Sequence, residues 1–150
     1  MVPSLGDDLV DLRRLVAEFG KYVKQDENAD RIGEFAIGTN TDPYQPAEKS
    51  LQLTRQLLEL FLEHRHPVSL ITKSHLIERD IDLLAELARL NLCSVAISVP
   101  TVDDALKRIM EPRVPSAASR LGAIRKLADQ GVPTSALVAP IIPAINDNEI

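Results

Sequence analysis

The sequence predicts an α/β protein built from parallel βα repeats, and two observations lead to this prediction. From residue 34 onward, short aliphatic runs alternate with longer amphipathic segments, which is the order of elements in parallel sheets with helical crossovers. The aliphatic runs also carry few charges, as strands covered on both faces do. We therefore expect about four βα units in a single domain, preceded by an amphipathic helix.

Composition and length exclude several classes of protein. The chain has 150 residues, of which 45% are hydrophobic, enough to bury one sizeable core. Its formal charge of -5 supplies no broad basic surface of the kind that neutralises nucleic-acid phosphates. Aromatic residues make up only 3% of the chain, which argues against platforms for stacked bases. The single cysteine, Cys93, excludes an internal disulfide and any cysteine-ligated cluster held by this chain alone.

No segment of the sequence has the features of a membrane span or a secretion signal. No apolar run approaches the roughly 20 residues that cross a bilayer. The first residues are acidic, whereas a signal peptide begins with a basic segment and continues with an apolar one. We therefore expect a cytoplasmic protein without membrane contacts.

The elements follow one another in a regular order. Residues 5–19 carry apolar side chains at helical spacing and predict an amphipathic helix that ends at Gly20. Residues 21–33 are polar and predict a loop. The strand EFAIG comes next, and Pro46 then suits the first turn of a helix that runs to HRHP.

Three further strands alternate with helices. The strand PVSLITKS precedes a helical stripe of leucine and isoleucine that reaches Leu90, and CSVAISV is the third strand. The short helix TVDDALKRIM follows, with Thr101 and Asp104 placed like a capping box. The helix SAASRLGAIRKLADQG ends at Gly131, where a residue without Cβ tolerates left-handed backbone, and PTSALVAPIIP is the fourth strand.

Polar side chains follow the predicted strands at the points where they end, namely Thr39, Asn40, Thr41, Asp42, Lys73 and Ser98. Because the carboxyl ends of parallel strands open onto one face, we expect these side chains to share one polar hollow. Taken alone, residues 39–42 fit turn chemistry better, and Ser98 fits a satisfied core hydroxyl equally well. Lys73 lies beside a helix start, where the helix dipole disfavours a cation unless an anion is present.

Glu111 and Arg113 form a second charged feature. They flank Pro112, and Pro115 follows two residues later, so a stiff backbone holds both side chains in fixed directions. One interpretation is a surface ion pair. The other is a guanidinium that grips both oxygens of a ligand carboxylate.

Three stretches of the sequence resemble one known family. They are IGTNTDPYQPAEKSLQLTRQLLELFLEHRHPVSLITKS, VAISVPTVDDALKRIMEPRVPSAASRLGAIRKL and VAPIIPAINDNEI. Together they resemble radical S-adenosylmethionine (radical SAM) proteins related to spore photoproduct lyase, often labelled DNA repair photolyase-like. The resemblance implies a partial TIM-type (βα)6 barrel over residues 31–150 and leaves residues 1–30 as an unmatched helix and polar linker.

The resemblance also implies a role for each strand end. Residues 39–42 would approach the methionine amino group of S-adenosylmethionine, while Lys73 and Ser98 would reach its carboxylate and its ribose. Residues 111–113 correspond to an EPR element that supports the cofactor region. Ile142 lies in the stretch that flanks adenine.

The cluster loop of this family is missing from the sequence. Family members hold a 4Fe-4S cluster on a CxxxCxxC loop, and no such loop is present here. That iron both anchors the cofactor and supplies the electron. We therefore expect a fragment or truncated relative of a radical enzyme that is catalytically inactive and binds neither the cluster nor S-adenosylmethionine tightly. Contact with nucleic acid is implied by the resemblance alone.

Two alternatives from other classes stay open. The first is a non-catalytic scaffold or interaction module, in which residues 5–19 or a second copy of the chain in a homo-oligomer cover the exposed barrel edges. The second is a lyase in which Lys73 forms a Schiff base, a reaction that strand-end lysines perform when desolvation favours the neutral amine.

Overall fold

The computed structural model describes residues 34–149, and a parallel four-stranded sheet lies at its centre. Every neighbouring pair of strands is parallel, and the order across the sheet is the order along the chain. The strands are β1 (Phe35–Ile37), β2 (Val68–Thr72), β3 (Cys93–Ser98) and β4 (Thr134–Leu137). The predicted α/β class with parallel βα repeats is therefore confirmed. The predicted helix of residues 5–19 lies outside the described residues.

Helical elements connect each strand to the next, as parallel connections require. Two helices link β1 to β2, a 3₁₀ helix and an α-helix link β2 to β3, and two further helices link β3 to β4. In chain order they are α1 (Glu48–Leu51), α2 (Leu53–Glu63), the 3₁₀ helix His75–Asp80, α3 (Ile81–Arg89), α4 (Asp104–Met110) and α5 (Ala117–Asp129). A second 3₁₀ turn, Asp147–Glu149, follows β4.

The first crossover helix is broken, whereas the sequence predicts a continuous one. The break lies at Gln52, whose φ of 51° is left-handed. The Glu48 carboxylate accepts hydrogen bonds from the amides of Leu53 and Thr54, both at 3.0 Å. These are among the first amides of α2, which have no partner within their own helix. Glu48, a residue of α1, thus caps the start of α2. The chain turns at Gln52, which lies between the two helices.

The core lies between the helices and one face of the sheet. Along β2 and β3, alternate side chains are buried against the apolar stripes of α2, α3 and α5. The fully buried members are Leu58, Phe61, Val68, Leu70, Ile77, Leu84, Leu87, Ile97, Ala123 and Leu127. The opposite face, with Ile71 and Ala96, is only partly buried. Within the described residues, burial is therefore complete on one face of β2 and β3 and only partial on the other.

Buried charges fix the first crossover against the second. Asp80 is fully buried and accepts hydrogen bonds from Arg79 at 2.7 Å and from Arg55 at 3.1 Å. Arg79 also donates to the Glu48 carboxylate at 2.9 Å, and its guanidinium lies 5.9 Å from the centroid of the Tyr44 ring. The contacts of Arg79 with Glu48 and Tyr44 consequently hold the segment after β1 in place.

Both outer strands of the sheet have exposed apolar side chains. Phe35 at the β1 edge is 43% exposed, and Leu137 and Val138 at the β4 edge are each 38% exposed. That a second copy or another chain covers these edges stays a prediction. No helix in residues 34–149 is both long enough and apolar enough to cross a bilayer.

Candidate functional site

The carboxyl ends of the strands open onto one hollow of about 420 Å³, which we name the inner hollow. Its walls come from the loop after β1, the ends of β2 and β3, and the exit of β4. The lining residues are Gly38, Thr39, Asn40, Thr41, Asp42, Ile71, Thr72, Lys73, Ser98, Leu137 and Ala139. The structure thus brings together the polar residues that the sequence places at three strand ends.

Gly38 allows the loop after β1 to pass directly over β2. Its φ is 97°, and a Cβ at this position would lie 1.9 Å from the carbonyl oxygen of Ile71. A side chain cannot occupy that space, and left-handed backbone favours glycine. The close approach lets the next residues turn into the hollow.

Asp42 joins the loop after β1 to the end of β2. Its Oδ1 accepts hydrogen bonds from the Tyr44 amide at 2.8 Å and the Thr72 hydroxyl at 2.7 Å, and its Oδ2 accepts one from the Lys73 amide at 2.8 Å. The turn interpretation therefore describes Asp42 well. Its carboxylate builds the wall of the hollow and has three protein donors already.

Lys73 is oriented by a chain of charged side chains behind it. Its Nζ donates to Oε1 of Glu111. The second oxygen of Glu111 accepts a hydrogen bond at 2.9 Å from Nη1 of Arg120, and the same nitrogen donates to the Ser98 carbonyl oxygen at 2.7 Å. Two cations share one carboxylate, so the group carries a net positive charge at the rim of the inner hollow.

Arg120 is a site residue that the sequence interpretation missed. It lies on α5 and is fully buried, and its Nε and Nη2 have no hydrogen-bond partner among the described residues. A signal was present, because Ala117, Arg120, Ala123 and Leu127 follow helical spacing and form the buried face of α5. A charged residue at a core position of a helix requires a buried partner of opposite charge.

Ser98 contributes a hydroxyl to the inner hollow. The residue is only 3% exposed, while its backbone carbonyl accepts from Arg120. Within residues 34–149, its hydroxyl makes no hydrogen bond. The hydroxyl is thus available to a ligand.

Three predicted site residues, Glu111, Arg113 and Ile142, do not line the inner hollow. Arg113 lines a neighbouring hollow of about 350 Å³, whereas Glu111 contacts Lys73 from behind the inner hollow. Ile142 lies in a turn in which its amide donates to Oδ1 of the fully buried Asn146 at 2.6 Å. Leu137 supplies apolar surface to the inner hollow in its place.

The Lys73 environment gives no support to a Schiff-base lyase. Such a lysine needs a neutral amine held among apolar groups. The Lys73 side chain is instead 41% exposed and forms an ion pair with Glu111.

The Glu111 carboxyl gives the fold a dependence on pH. Burial raises its pKa, but hydrogen bonds and charges from Lys73 and Arg120 outweigh burial and hold the pKa below its ordinary value of 4.5. The unfolded state therefore binds the proton more readily than the folded state. The stabilisation from this group is fully present above about pH 4.5 and is lost as the pH falls through the folded pKa.

We expect Glu111→Gln to lower the free energy of unfolding at pH 7 by about 1–3 kcal/mol and to lower it less under acidic conditions. Urea unfolding of both proteins at several values between about pH 3 and pH 7 measures this difference. Glu59→Gln is the control, since this exposed carboxylate should change stability by less than about 0.5 kcal/mol at any pH. A Glu111→Gln deficit that stays constant across the range would contradict the assignment.

Comparison with known proteins identifies the family. A sequence model described as the Radical SAM superfamily matches residues 10–150. The chain belongs to the radical SAM superfamily. The predicted division at residues 30 and 31 stays a prediction.

Relatives of this chain are longer proteins. An uncharacterized protein of Mycobacterium tuberculosis is 36% identical over 113 residues, which cover 75% of this chain and 33% of that protein. An uncharacterized protein of Methanocaldococcus jannaschii is 32% identical over 117 residues, which cover 78% of this chain and 44% of that protein. The chain spans less than half the length of either relative.

A solved structure shares the fold. Spore photoproduct lyase, complexed with dinucleoside spore photoproduct, matches with a TM-score of 0.65 at 20% identity. The match covers 89% of this chain and 37% of that chain. This likeness confirms the α/β fold of residues 34–149, whose four parallel strands alternating with helices are consistent with part of a TIM-like barrel.

The residues present do not fit the iron-sulfur cluster of radical SAM proteins. A 4Fe-4S cluster needs cysteine thiolates, and the 150 residues include one cysteine. Cys93 begins β3, about 16 Å along the strand from the end that faces the inner hollow. Burial raises the pKa of its thiol to about 11. The described part of the chain also holds no group of three side chains suited to a metal ion.

Proposed function

We propose that residues 34–149 form the S-adenosylmethionine-binding part of a radical enzyme related to spore photoproduct lyase. The observation that carries this proposal is the meeting of Lys73, Ser98 and residues 39–41 in the inner hollow. A volume of about 420 Å³ lies in the range of small-molecule sites, and membership of the radical SAM superfamily supplies the class of cofactor.

Each polar group of the inner hollow matches one part of S-adenosylmethionine. The Lys73 ammonium pairs with the methionine carboxylate in a charge-assisted hydrogen bond. The Ser98 hydroxyl bonds a ribose hydroxyl, and residues 39–41 offer oxygen acceptors to the amino group. The apolar exit of β4 packs against adenine, a role that the resemblance gave to Ile142.

Glu111 and Arg120 position Lys73 in this scheme. Their contacts hold the Lys73 ammonium at the rim of the inner hollow. Arg120 offsets the negative charge of Glu111, so the Lys73 ammonium still attracts a ligand anion. We expect no radical chemistry from the 150 residues by themselves, because one cysteine does not ligate the cluster. Without the iron, a few hydrogen bonds and one ion pair remain, so cofactor binding should be weak.

We expect S-adenosylmethionine to bind the chain with a dissociation constant on the order of 1 mM, and Lys73→Met to weaken binding about ten-fold. Chemical-shift changes in nitrogen-15 spectra during a titration detect binding in this range and report the residues affected. The expected shifts cluster at residues 39–41, Lys73 and Ser98.

Lys126→Met is the matched control for this titration. Lys126 lies on α5, pairs with Glu78 and lines neither hollow, so its replacement should leave binding unchanged. Equal loss in both lysine variants, or shifts spread away from the strand ends, would contradict the proposal.

The wider biological role belongs to the same proposal. A nucleic-acid substrate, a part in DNA repair and a cytoplasmic location follow from the resemblance to spore photoproduct lyase-like proteins. The apolar side chains exposed at the outer edges of β1 and β4 support association with a second copy or with another chain, since a strand at a sheet edge can pair with a further strand.

A further inference from the structure

A second hollow adjoins the inner one on the other side of Lys73. It has a volume of about 350 Å³ and shares Asp42 and Lys73 with the inner hollow; we name it the outer hollow. Much of its wall is apolar, formed by Pro46, Leu76, Val114 and Pro115. Lys49, His75 and Arg113 add cationic or titratable side chains, and Tyr44, Gln45 and Ser74 complete the lining.

Two of these cations form no ion pair with any described residue, although Asp42 lines the same hollow. Within the described range, 34–149, neither the Lys49 ammonium nor the Arg113 guanidinium makes a hydrogen bond or an ion pair. Arg113 stands between Pro112 and Pro115, which restrict the backbone that carries it. Two unpaired cations lining the same small hollow favour an anion there.

The carboxylates near the outer hollow are already engaged. Asp42 accepts three hydrogen bonds from protein donors. Glu111 pairs with Lys73 and Arg120, and the buried Glu48 pairs with Arg79. The donors to Asp42 are neutral, so its carboxylate keeps one negative charge in the outer hollow. Lys49 and Arg113 together outnumber it, so an external anion would meet net positive charge.

We propose that the outer hollow binds a phosphate ester whose phosphate contacts Arg113 and Lys49 and whose apolar or aromatic body packs on the proline and leucine walls. A planar guanidinium bonds two phosphate oxygens at once. The inference rests on the proposed function in one respect: the shared Lys73 puts this ligand beside the cofactor hollow, where a substrate belongs. It gives Arg113 a substrate-binding role in place of the cofactor role that the resemblance implies.

The test is a titration of the 150-residue chain at low ionic strength with phenyl phosphate, phenol and inorganic phosphate. We expect phenyl phosphate to bind about ten-fold more tightly than either fragment, and Arg113→Gln and Lys49→Gln each to weaken it about ten-fold. Arg125→Gln is the control, because this exposed residue of α5 lines neither hollow and its replacement should leave affinity unchanged. Circular dichroism of every variant reports whether the fold is retained.

Three results would overturn the proposal: no binding of phenyl phosphate to the folded chain, equal affinity for inorganic phosphate and phenyl phosphate, or equal loss in Arg113→Gln and Arg125→Gln. The same proteins are titrated with S-adenosylmethionine, which Arg113→Gln should not affect. If the cofactor binds and phenyl phosphate does not, only the outer-hollow proposal fails. If phenyl phosphate binds and the cofactor does not, only the proposed function fails.

Discussion

Replacement of Arg120 by methionine is expected to lower the free energy of unfolding by about 3–5 kcal/mol. The substitution removes the hydrogen bonds to the Ser98 carbonyl and to Glu111. Glu111 would then keep only the half-exposed Lys73 as a partner, although its own side chain is 9% exposed. Leaving a buried carboxylate without its charged partner lowers the free energy of unfolding by much more than the intact ion pair raises it.

Urea unfolding at pH 7 of the parent chain and three variants tests this expectation. Arg120→Lys should lose less than Arg120→Met, because a single nitrogen, Nη1, makes both hydrogen bonds and an ammonium can replace it. The double variant Arg120→Met with Glu111→Gln should recover part of the loss, as coupled residues do. An Arg120→Met protein as stable as the parent, or strictly additive losses, would show that the chain of charges does not stabilise the fold.

Gly38→Ala is expected to lower the free energy of unfolding by about 2–3 kcal/mol. An added Cβ would lie 1.9 Å from the Ile71 carbonyl oxygen, and this neighbour is backbone of β2, which cannot rotate away. The loop after β1 would have to lift from the sheet. We therefore also expect the variant to lose the chemical-shift response of residues 39–41 to S-adenosylmethionine.

Gly122→Ala is the matched control for Gly38→Ala. Gly122 lies within α5, and nothing stands within 4 Å of an added Cβ, so alanine should stabilise the helix by about 0.5–1 kcal/mol. Thermal and urea unfolding of the two glycine variants measure both effects. A Gly38→Ala protein with unchanged stability and an unchanged titration would mean that the close approach to β2 is unimportant.

The arrangement of strands could be predicted because it depends on local patterns. Runs of aliphatic residues separated by helical stripes define β2 and β3, and parallel connections bring their carboxyl ends to one edge. That geometry is enough to bring Lys73 and Ser98 to one hollow, without knowledge of any contact between them.

Other features depend on contacts between residues distant in the chain and left weak local signals. The turn at Gln52 follows from how Glu48 caps the next helix. The cap of α4 is Asp103, whose carboxylate accepts from the amides of Ala105 and Leu106, whereas the sequence predicts a capping box from Thr101. Thr101 instead donates its hydroxyl to Glu149 at 2.6 Å, a partner 48 residues away.

The placement of Arg113 and Ile142 was also beyond local reasoning. Spacing alone assigns Arg113 to the same site as Glu111, but the direction of each side chain depends on the path around Pro112. The turn that holds Ile142 is closed by the buried Asn146, whose amide nitrogen donates to the carbonyls of Pro100 and Pro140. An asparagine near the end of a sequence gives no sign of such long-range bonds.

The three hydrogen bonds of Asp42 all come from donors of the chain itself, and this has a thermodynamic consequence. Folding already fixes the loop after β1, so the conformational entropy of this loop is lost at that step. Ligand binding then carries no second entropic cost for ordering the loop. Complex formation should then resemble rigid docking, with small molecules selected by shape and fast exchange between free and bound forms.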